Sequence, residues 1–452
     1  MKLMPIFTLF CSAALLTGCG GSSSDESATY PTAYVQLYNA SANSASTSLS
    51  MGLSSATSLD NDIGSAGYTD TSPLASIDSG EYKLELSYLN TAGSKVTVLS
   101  DKTNLEKGKK TLLLLNGDYA SPNLMNLTFQ RDETLDSQFK LIWVNLINDG
   151  KSYDLYLGDA EKTFADATLV GTTTYKAVLE AKTYALDSYV LYLTSAGSKN
   201  IVFQSGSSAF AYETEHVLVS RPAIGPAKNK LAIDIIGNTT TVLTLEDVNA
   251  NAQFRVYNSI DSVNPANIHL GNVSDQPRFS NLAADTMSPY LETVAGDYRV
   301  SLTDNHNNLI MRNGLVTLEQ GSVKSIVFYK DANDAAAAIT LTDSKLPQVF
   351  DFNFNVVNVI PNFDQISVYF VKPGQTMDSS TLYINTLNYA SQSPMSLPAG
   401  EYTMFIVHKD KNNNKILLAQ TEQLTLQSGA NYLLVAEPDY YADSGYKLSL
   451  VK

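Results

Sequence analysis

Val35-Gln36-Leu37-Tyr38-Asn39, Leu141-Ile142-Trp143-Val144-Asn145, Phe254-Arg255-Val256-Tyr257-Asn258 and Phe354-Asn355-Val356-Val357-Asn358 are four versions of one phrase. In each, apolar side chains stand two residues apart and an Asn follows two later. A period of two belongs to a strand with one face in a core. The Asn falls on that inward face at the strand's end, where its amide is expected to hydrogen-bond the backbone of the next loop. Left unpaired, it would cost about 1–3 kcal/mol. The four Asn lie 106, 113 and 100 residues apart, so the chain repeats one unit.

Outward from these strands a second signature recurs. Gly80-Glu81-Tyr82-Lys83-Leu84, Gly296-Asp297-Tyr298-Arg299-Val300 and Gly400-Glu401-Tyr402-Thr403-Met404 open a strand with the Tyr ring expected over the corner. In the second repeat Lys182-Thr183-Tyr184 takes this place without Gly, which predicts a different turn. Polar hairpin tips follow at Ala92-Gly93-Ser94-Lys95, Ala196-Gly197-Ser198-Lys199, Asp304 to Asn308 and Asp410 to Asn414. Gly and Asn tolerate the positive φ that such turns need. Strands at Thr111 to Leu115, His216 to Val219, Ser325 to Tyr329 and Tyr432 to Ala436 come next, three of them after Gly108, Gly321 and Gly429. A last strand closes each unit. About seven short strands in ~100 residues, with no helical period, is the pattern of an immunoglobulin-like antiparallel sandwich. The expected fold is all-β: four tandem sandwiches at 31–132, 133–246, 247–344 and 345–452. The first carries a Ser/Ala/Thr-rich insertion, Ala40 to Ser58. Short linkers predict four beads in a curved or extended row.

The N-terminus supplies an address. Lys2 precedes an apolar run from Met4 to Leu16, too short to span a bilayer, which needs roughly 20 apolar residues. Leu16-Thr17-Gly18-Cys19 then resembles a bacterial lipobox, with cleavage between Gly18 and Cys19. The resemblance implies a signal peptide at 1–18, a lipid on the Cys19 thiol and a membrane partner reached through that lipid. A flexible tether is expected at 19–30. Gly20, standing where an inner-membrane retention Asp would be, implies the outer membrane.

The Asn-ended strand, Ser367-Val368-Tyr369-Phe370, Pro398-Ala399-Gly400-Glu401-Tyr402 and Gly429-Ala430-Asn431-Tyr432-Leu433 together resemble a family of uncharacterised Ig-like bacterial repeats. These domain-of-unknown-function modules occur in tandem in exported proteins and lipoproteins. The resemblance covers most of the mature chain and implies a fold and a location, with no catalytic residues to carry over.

Little chemistry stands out beyond this. Nucleophile-elbow, phosphate-loop, dinucleotide and H-E-x-x-H patterns are absent. The four His are scattered, and Trp143 occupies the core position of Leu37, Val256 and Val356. Cys11 leaves with the signal and Cys19 is acylated, so no disulfide is expected. The formal charge of −15 argues against nucleic acid as a partner. Asp247, Asn249 and Asn251 alternate oxygen donors at the junction of repeats 2 and 3, a candidate calcium site whose bland alternative is polar turn chemistry. The loops before the last strands differ most among repeats. That of the fourth, Glu437 to Tyr446, is rich in Tyr, Ser, Gly and Asp, a composition suited to contact. Tyr440 and Tyr441 are therefore expected on a distal surface that meets a protein or glycan. The expected function is non-enzymatic and cofactor-free: a lipid-anchored envelope protein presenting an interaction or scaffolding surface, with a glycan-binding lipoprotein as the alternative.

Overall fold

The computed structural model describes residues 32–90, 93–131, 135–225 and 230–452. Repeat 1 comprises β1 (Thr32–Asn39), β2 (Thr47–Leu53), β3 (Asn61–Ala66), β4 (Ala75–Asp78), β5 (Gly80–Leu89), β6 (Lys95–Leu105), β7 (Lys109–Asn116) and β8 (Asn123–Gln130). They form two sheets, in the orders β4-β1-β7-β8 and β3-β2-β5-β6. Ladders within each repeat are antiparallel except one, where β1 runs parallel to β7. The same plan recurs three times. The parallel pair is Gln138–Asn145 with Glu215–Pro222, then Ala252–Asn258 with Val323–Lys330, then Asp351–Asn358 with Leu433–Pro438. A single helical turn interrupts the strands at Phe164–Asp166.

The inward Asn fixes the exit from each first strand. Its side-chain oxygen accepts the backbone N–H two residues on: from Ser41 to Asn39 at 3.0 Å, Ile147 to Asn145 at 2.9 Å, Ile260 to Asn258 at 3.1 Å and Ile360 to Asn358 at 3.0 Å. Asn39, Asn258 and Asn358 also donate to carbonyls of Ala66, Val263 and Leu387. A buried polar side chain thus ties the strand end to its loop in every copy.

The tyrosine corner is equally regular, and it corrects one alignment. Tyr82, Tyr298 and Tyr402 each donate to the carbonyl four residues upstream, at 2.9, 2.6 and 2.8 Å. In repeat 2 the residue doing so is Tyr189, to Ala185 at 3.0 Å, and not Tyr184, which stacks beside Phe139 in the preceding strand. Asp187 occupies the Gly position, and the corner is unchanged. Gly296 and Gly400 explain this: a Cβ on either would meet its Tyr ring at an ordinary 3.7 Å, so the corner does not require glycine. The stretch from Ala40 to Ser58 is no insertion either. It contains β2, whose Leu49 and Met51 are fully buried. Ser on the outward face hid the alternation.

The row of beads is also overturned. β1 and β7 are buried on both faces: Gln36 and Tyr38 as fully as Val35 and Leu37, and Leu112 through Leu115 without a break. The second face packs on the matching sheet of repeat 2, Tyr38, Leu112 and Leu114 meeting Val144, Val217 and Val219. Repeats 3 and 4 pair in the same way through Tyr257, Val327 and Tyr329 against Val357, Leu433 and Val435. Six such side chains per joint correspond to roughly 10 kcal/mol of gross transfer free energy, which a row of separate domains would forgo. The two pairs then touch where Phe350, in the linker before repeat 4, packs between Tyr88 and Tyr119 of repeat 1 at 5.0 and 5.4 Å between ring centroids.

Trp143 is fully buried in the core of repeat 2 and its fluorescence reports on the packing of that core. Tyr189→Phe is expected to lower the repeat 2 transition, followed by tryptophan fluorescence in urea, by about 1 kcal/mol. Tyr184→Phe should leave it nearly unchanged. Equal effects would reject the corner assignment.

Candidate interaction surface

Each joint places a tyrosine hydroxyl against a buried carboxylate. In the first, Tyr38 donates to Asp234, fully buried in the last strand region of repeat 2. Arg221, one strand over, holds the same carboxylate with Nε at 2.6 Å and Nη2 at 3.0 Å, and Thr244 donates to it at 2.6 Å. The guanidinium lies over the Tyr68 ring, 5.2 Å from its centroid. Lys110 crosses the same joint to the Gly237 carbonyl at 3.0 Å and Asn238 Oδ1 at 2.9 Å. Burial pushes its ammonium down to about 7.

In the second joint Tyr257 occupies the place of Tyr38 and donates to Glu437 at 2.7 Å. Glu437 stands at the strand position of Arg221, and Ser449 stands at that of Asp234. The acid has moved to the neighbouring strand and the guanidinium is gone. Ser449 donates to Glu437, whose second oxygen has no hydrogen-bond partner, and Lys447 lies at 4.0 Å while engaged with Asp285 at 2.6 Å. Burial raises the Glu437 carboxyl above its ordinary range. Arg255 also spans this joint, pairing with Asp343 at 3.2 Å and donating to the Asn431 carbonyl at 3.1 Å.

At the mouth of the second joint lies a cleft of 380 Å³ walled by Ser259, Asp261, Tyr329, Asp331, Pro361 and Tyr440. Its walls are the loops that follow the first strands and precede the last strands of repeats 3 and 4. Pairing sheet face to sheet face is what brings these four loops together. The Asp261 side chain makes no hydrogen bond or ion pair among the described residues, and burial with nearby Asp285 and Asp439 raises its carboxyl. Asp331 is spent on its own turn, accepting from Asn333 and Ala335 N–H, and Asp334 pairs with Lys330.

The loop bearing Tyr440 is closed at its base. Asp439 N–H donates to the Gly445 carbonyl at 2.9 Å, Asp439 Oδ1 accepts from Tyr441 N–H at 2.8 Å, and Gly445 adopts φ +79°. Tyr440 and Tyr441 stand out from this frame, 80% and 94% exposed. Tyr440 borders the cleft and Tyr441 does not. The back-folding of the pairs removes the extended-row argument that set this loop farthest from the anchor. The rigid base and the exposure remain.

The other sequence candidates fall elsewhere. Asp247 Oδ1 accepts from the backbone and side-chain N–H of Asn249 at 2.9 and 3.2 Å, and the Asn251 amide donates to Glu292 at 2.7 Å. Asp247 and Asn249 are thus joined within one turn, while Asn251 reaches a residue 41 positions along the chain. No group of three His, Cys, Asp or Glu side chains placed to hold a metal occurs among the described residues. Half-buried His216 packs on Phe139 and Phe210, its imidazole pushed down to about 4 by burial, and Trp143 donates to Ser220 at 3.0 Å. Gly18 and Cys19 lie outside the described residues. Sequence reasoning missed Arg221, Asp234, Glu437 and Asp261. A signal was there: Tyr precedes the strand-end Asn in repeats 1 and 3, Val in repeats 2 and 4.

Residues 33–156 and 252–369, together more than half of the chain, match the model of "Domain of unknown function (DUF4397)". Comparison with curated proteins gives no match. Among solved structures, the Bacillus anthracis TIE protein is 10% identical over 91% of this chain and 74% of its own, with a TM-score of 0.16. BcpA, the major pilin subunit of Bacillus cereus, is 9% identical over 66% of this chain and 99% of its own, with a TM-score of 0.14. Scores of this size carry no weight for function.

Arg221→Met leaves Asp234 buried without its cation and is expected to destabilise repeat 2 by about 3–5 kcal/mol. The double change Arg221→Met with Asp234→Asn, which removes both charges but keeps an acceptor for the Tyr38 and Thr244 hydroxyls, should recover most of that loss, read again from Trp143 fluorescence in urea. A double variant no better than the single one would refute charge matching as the role of the pair.

Proposed function

The chain belongs to the DUF4397 family, and on that footing we propose a non-enzymatic, lipid-anchored protein of the bacterial envelope that presents a contact surface on paired sandwiches. The supporting observation is the loop 439–445, closed at its base, with two exposed tyrosines, of which Tyr440 borders a cleft formed by four loops. Tyrosine offers large contact area with few torsions to immobilise, and a rigid base lowers the ordering cost of binding. Its partner is a protein at the outer membrane, met on the face that carries Tyr440 and Tyr441. Lipid on Cys19 holds the molecule there, and a chain of net charge −15 favours partners of opposite charge.

A glycan is the second reading. Tyr440 with Asp261 in one cleft is the pairing of an aromatic face with a carboxylate that a sugar ring uses. A glycan array separates the two readings.

Cys19→Ser should move the protein from the membrane fraction to the soluble fraction. Tyr440→Ser with Tyr441→Ser should reduce partner crosslinking on intact cells at least ten-fold, with folding unchanged by circular dichroism. Undiminished crosslinking in the double variant would remove this loop from the contact surface.

A further inference from the structure

The two joints are built on one plan but neutralise charge differently, and the difference falls on one group in each. In the joint of repeats 3 and 4, the fully buried Glu437 accepts from the neutral hydroxyls of Tyr257 and Ser449 on one oxygen, with the neutral Ser259 hydroxyl beside the carboxylate. Every charged or titratable group facing it is accounted for. From repeat 3 come Tyr257 and Asp285, with the Ser259 hydroxyl close by and Asp261 beyond. From repeat 4 come Lys447, committed to Asp285, and Asp439. Arg255, the fully buried cation at this joint among the described residues, is committed to Asp343, and Lys330 at its mouth pairs with Asp334. In the joint of repeats 1 and 2, the acid is matched by a two-pronged guanidinium, and the group in excess is a cation. Lys110 is 1% exposed and donates only to neutral oxygens, those of Gly237 and Asn238. Glu215 faces it as the nearby acid, Arg131 as a nearby cation, and its ammonium sits 6.0 Å from the Phe129 ring centroid.

A buried carboxylate whose nearest cation is engaged elsewhere is relieved by taking up a proton, and a buried ammonium that donates only to neutral oxygens is relieved by losing one. We propose that the two joints are opposed pH switches: rising pH loosens the joint of repeats 3 and 4 at Glu437 and tightens the joint of repeats 1 and 2 at Lys110. The cleft beside Tyr440 lies at the mouth of the loosening joint, so its walls part on the alkaline side while the other pair holds.

The signs follow from linkage. Glu437, raised by burial, binds its proton more tightly folded than unfolded. Stability is present at acid pH and falls as pH rises from the ordinary carboxyl range through its raised value. Lys110, pushed down to about 7, binds its proton less tightly folded, so stability increases as pH rises from about 7 towards the ordinary lysine value. One proton per joint limits each slope to about ten-fold in the opening equilibrium per pH unit.

Hydrogen exchange of the full-length chain, read by mass spectrometry between pH 5 and 9 and corrected for intrinsic rates, follows both joints without any ligand. Peptides covering 252–258, 351–358 and 433–438 should lose protection as pH rises. Those covering 109–116 and 215–222 should gain it above neutrality. Glu437→Gln keeps the shape and hydrogen bonding of the protonated acid and should flatten the first response while leaving the second. Lys110→Met should do the reverse. If Lys110→Met does not fold, the opposite signs in the unaltered protein still decide the matter. Responses of the same sign, flat profiles, or a pH dependence that survives Glu437→Gln would overturn the proposal. Consequences for binding rest on the cleft being the contact site, but the titration of the joints does not. Opposed switching without any change in partner crosslinking would sink the contact-site reading alone.

Discussion

Burial of both faces of one sheet in every repeat governs this molecule. A strand such as β1 places Val35 and Leu37 in its own sandwich and Tyr38 in the neighbour's, so neither repeat of a pair has a finished surface without the other. Sheets covered on both faces carry near-continuous apolar runs, and Leu112-Leu113-Leu114-Leu115 is such a run. Two consequences follow. The packing unit is a pair of repeats, and the loops around the cleft in the pair of repeats 3 and 4 converge because the sheets that carry them are stacked.

The polar centre of each joint shows how the same plan tolerates different chemistry. A tyrosine hydroxyl meets a carboxylate in both, but the carboxylate sits on different strands, and its counter-charge is a guanidinium in one joint and a more distant ammonium in the other. Apolar contact supplies most of the attraction, so the buried polar groups set register and response more than strength. Tyr38 and Tyr257 can each satisfy their hydroxyl only when the facing sheet is in the observed register, which ties specificity of pairing to two hydrogen bonds.

The fold was legible to a large degree, and the misses have physical reasons. Period-two alternation and the strand-end Asn identified the four units because both depend on local geometry. The strand β2 was hidden by small hydroxyl side chains on its outward face. In repeat 2 the sequence points to Tyr184 instead of Tyr189 because no Gly marks the corner there and two tyrosines stand close together, and the different turn expected from the missing Gly does not occur, since a corner held by a side chain to a carbonyl four residues back has no need of glycine. Tyr440 and Tyr441 were legible as a candidate surface from composition. Asp261 and Glu437 were not, since nothing local distinguishes an acid on a loop from one facing a joint 180 residues away along the chain.

Sequence by itself determined the repeat, the sandwich and three of the four corner tyrosines, because each is written in contacts between residues close along the chain or in a strict alternation. It also carried the lipobox-like address at Cys19 and the alternation of Tyr and Val before the strand-end Asn. Only the tertiary structure decided that the repeats pair face to face, that Phe350 folds one pair onto the other, and that the loop of Tyr440 borders a cleft. Those outcomes depend on which of several apolar faces finds which. That choice is made by shape and by the pairing of distant charges, and alternation along a single strand records neither.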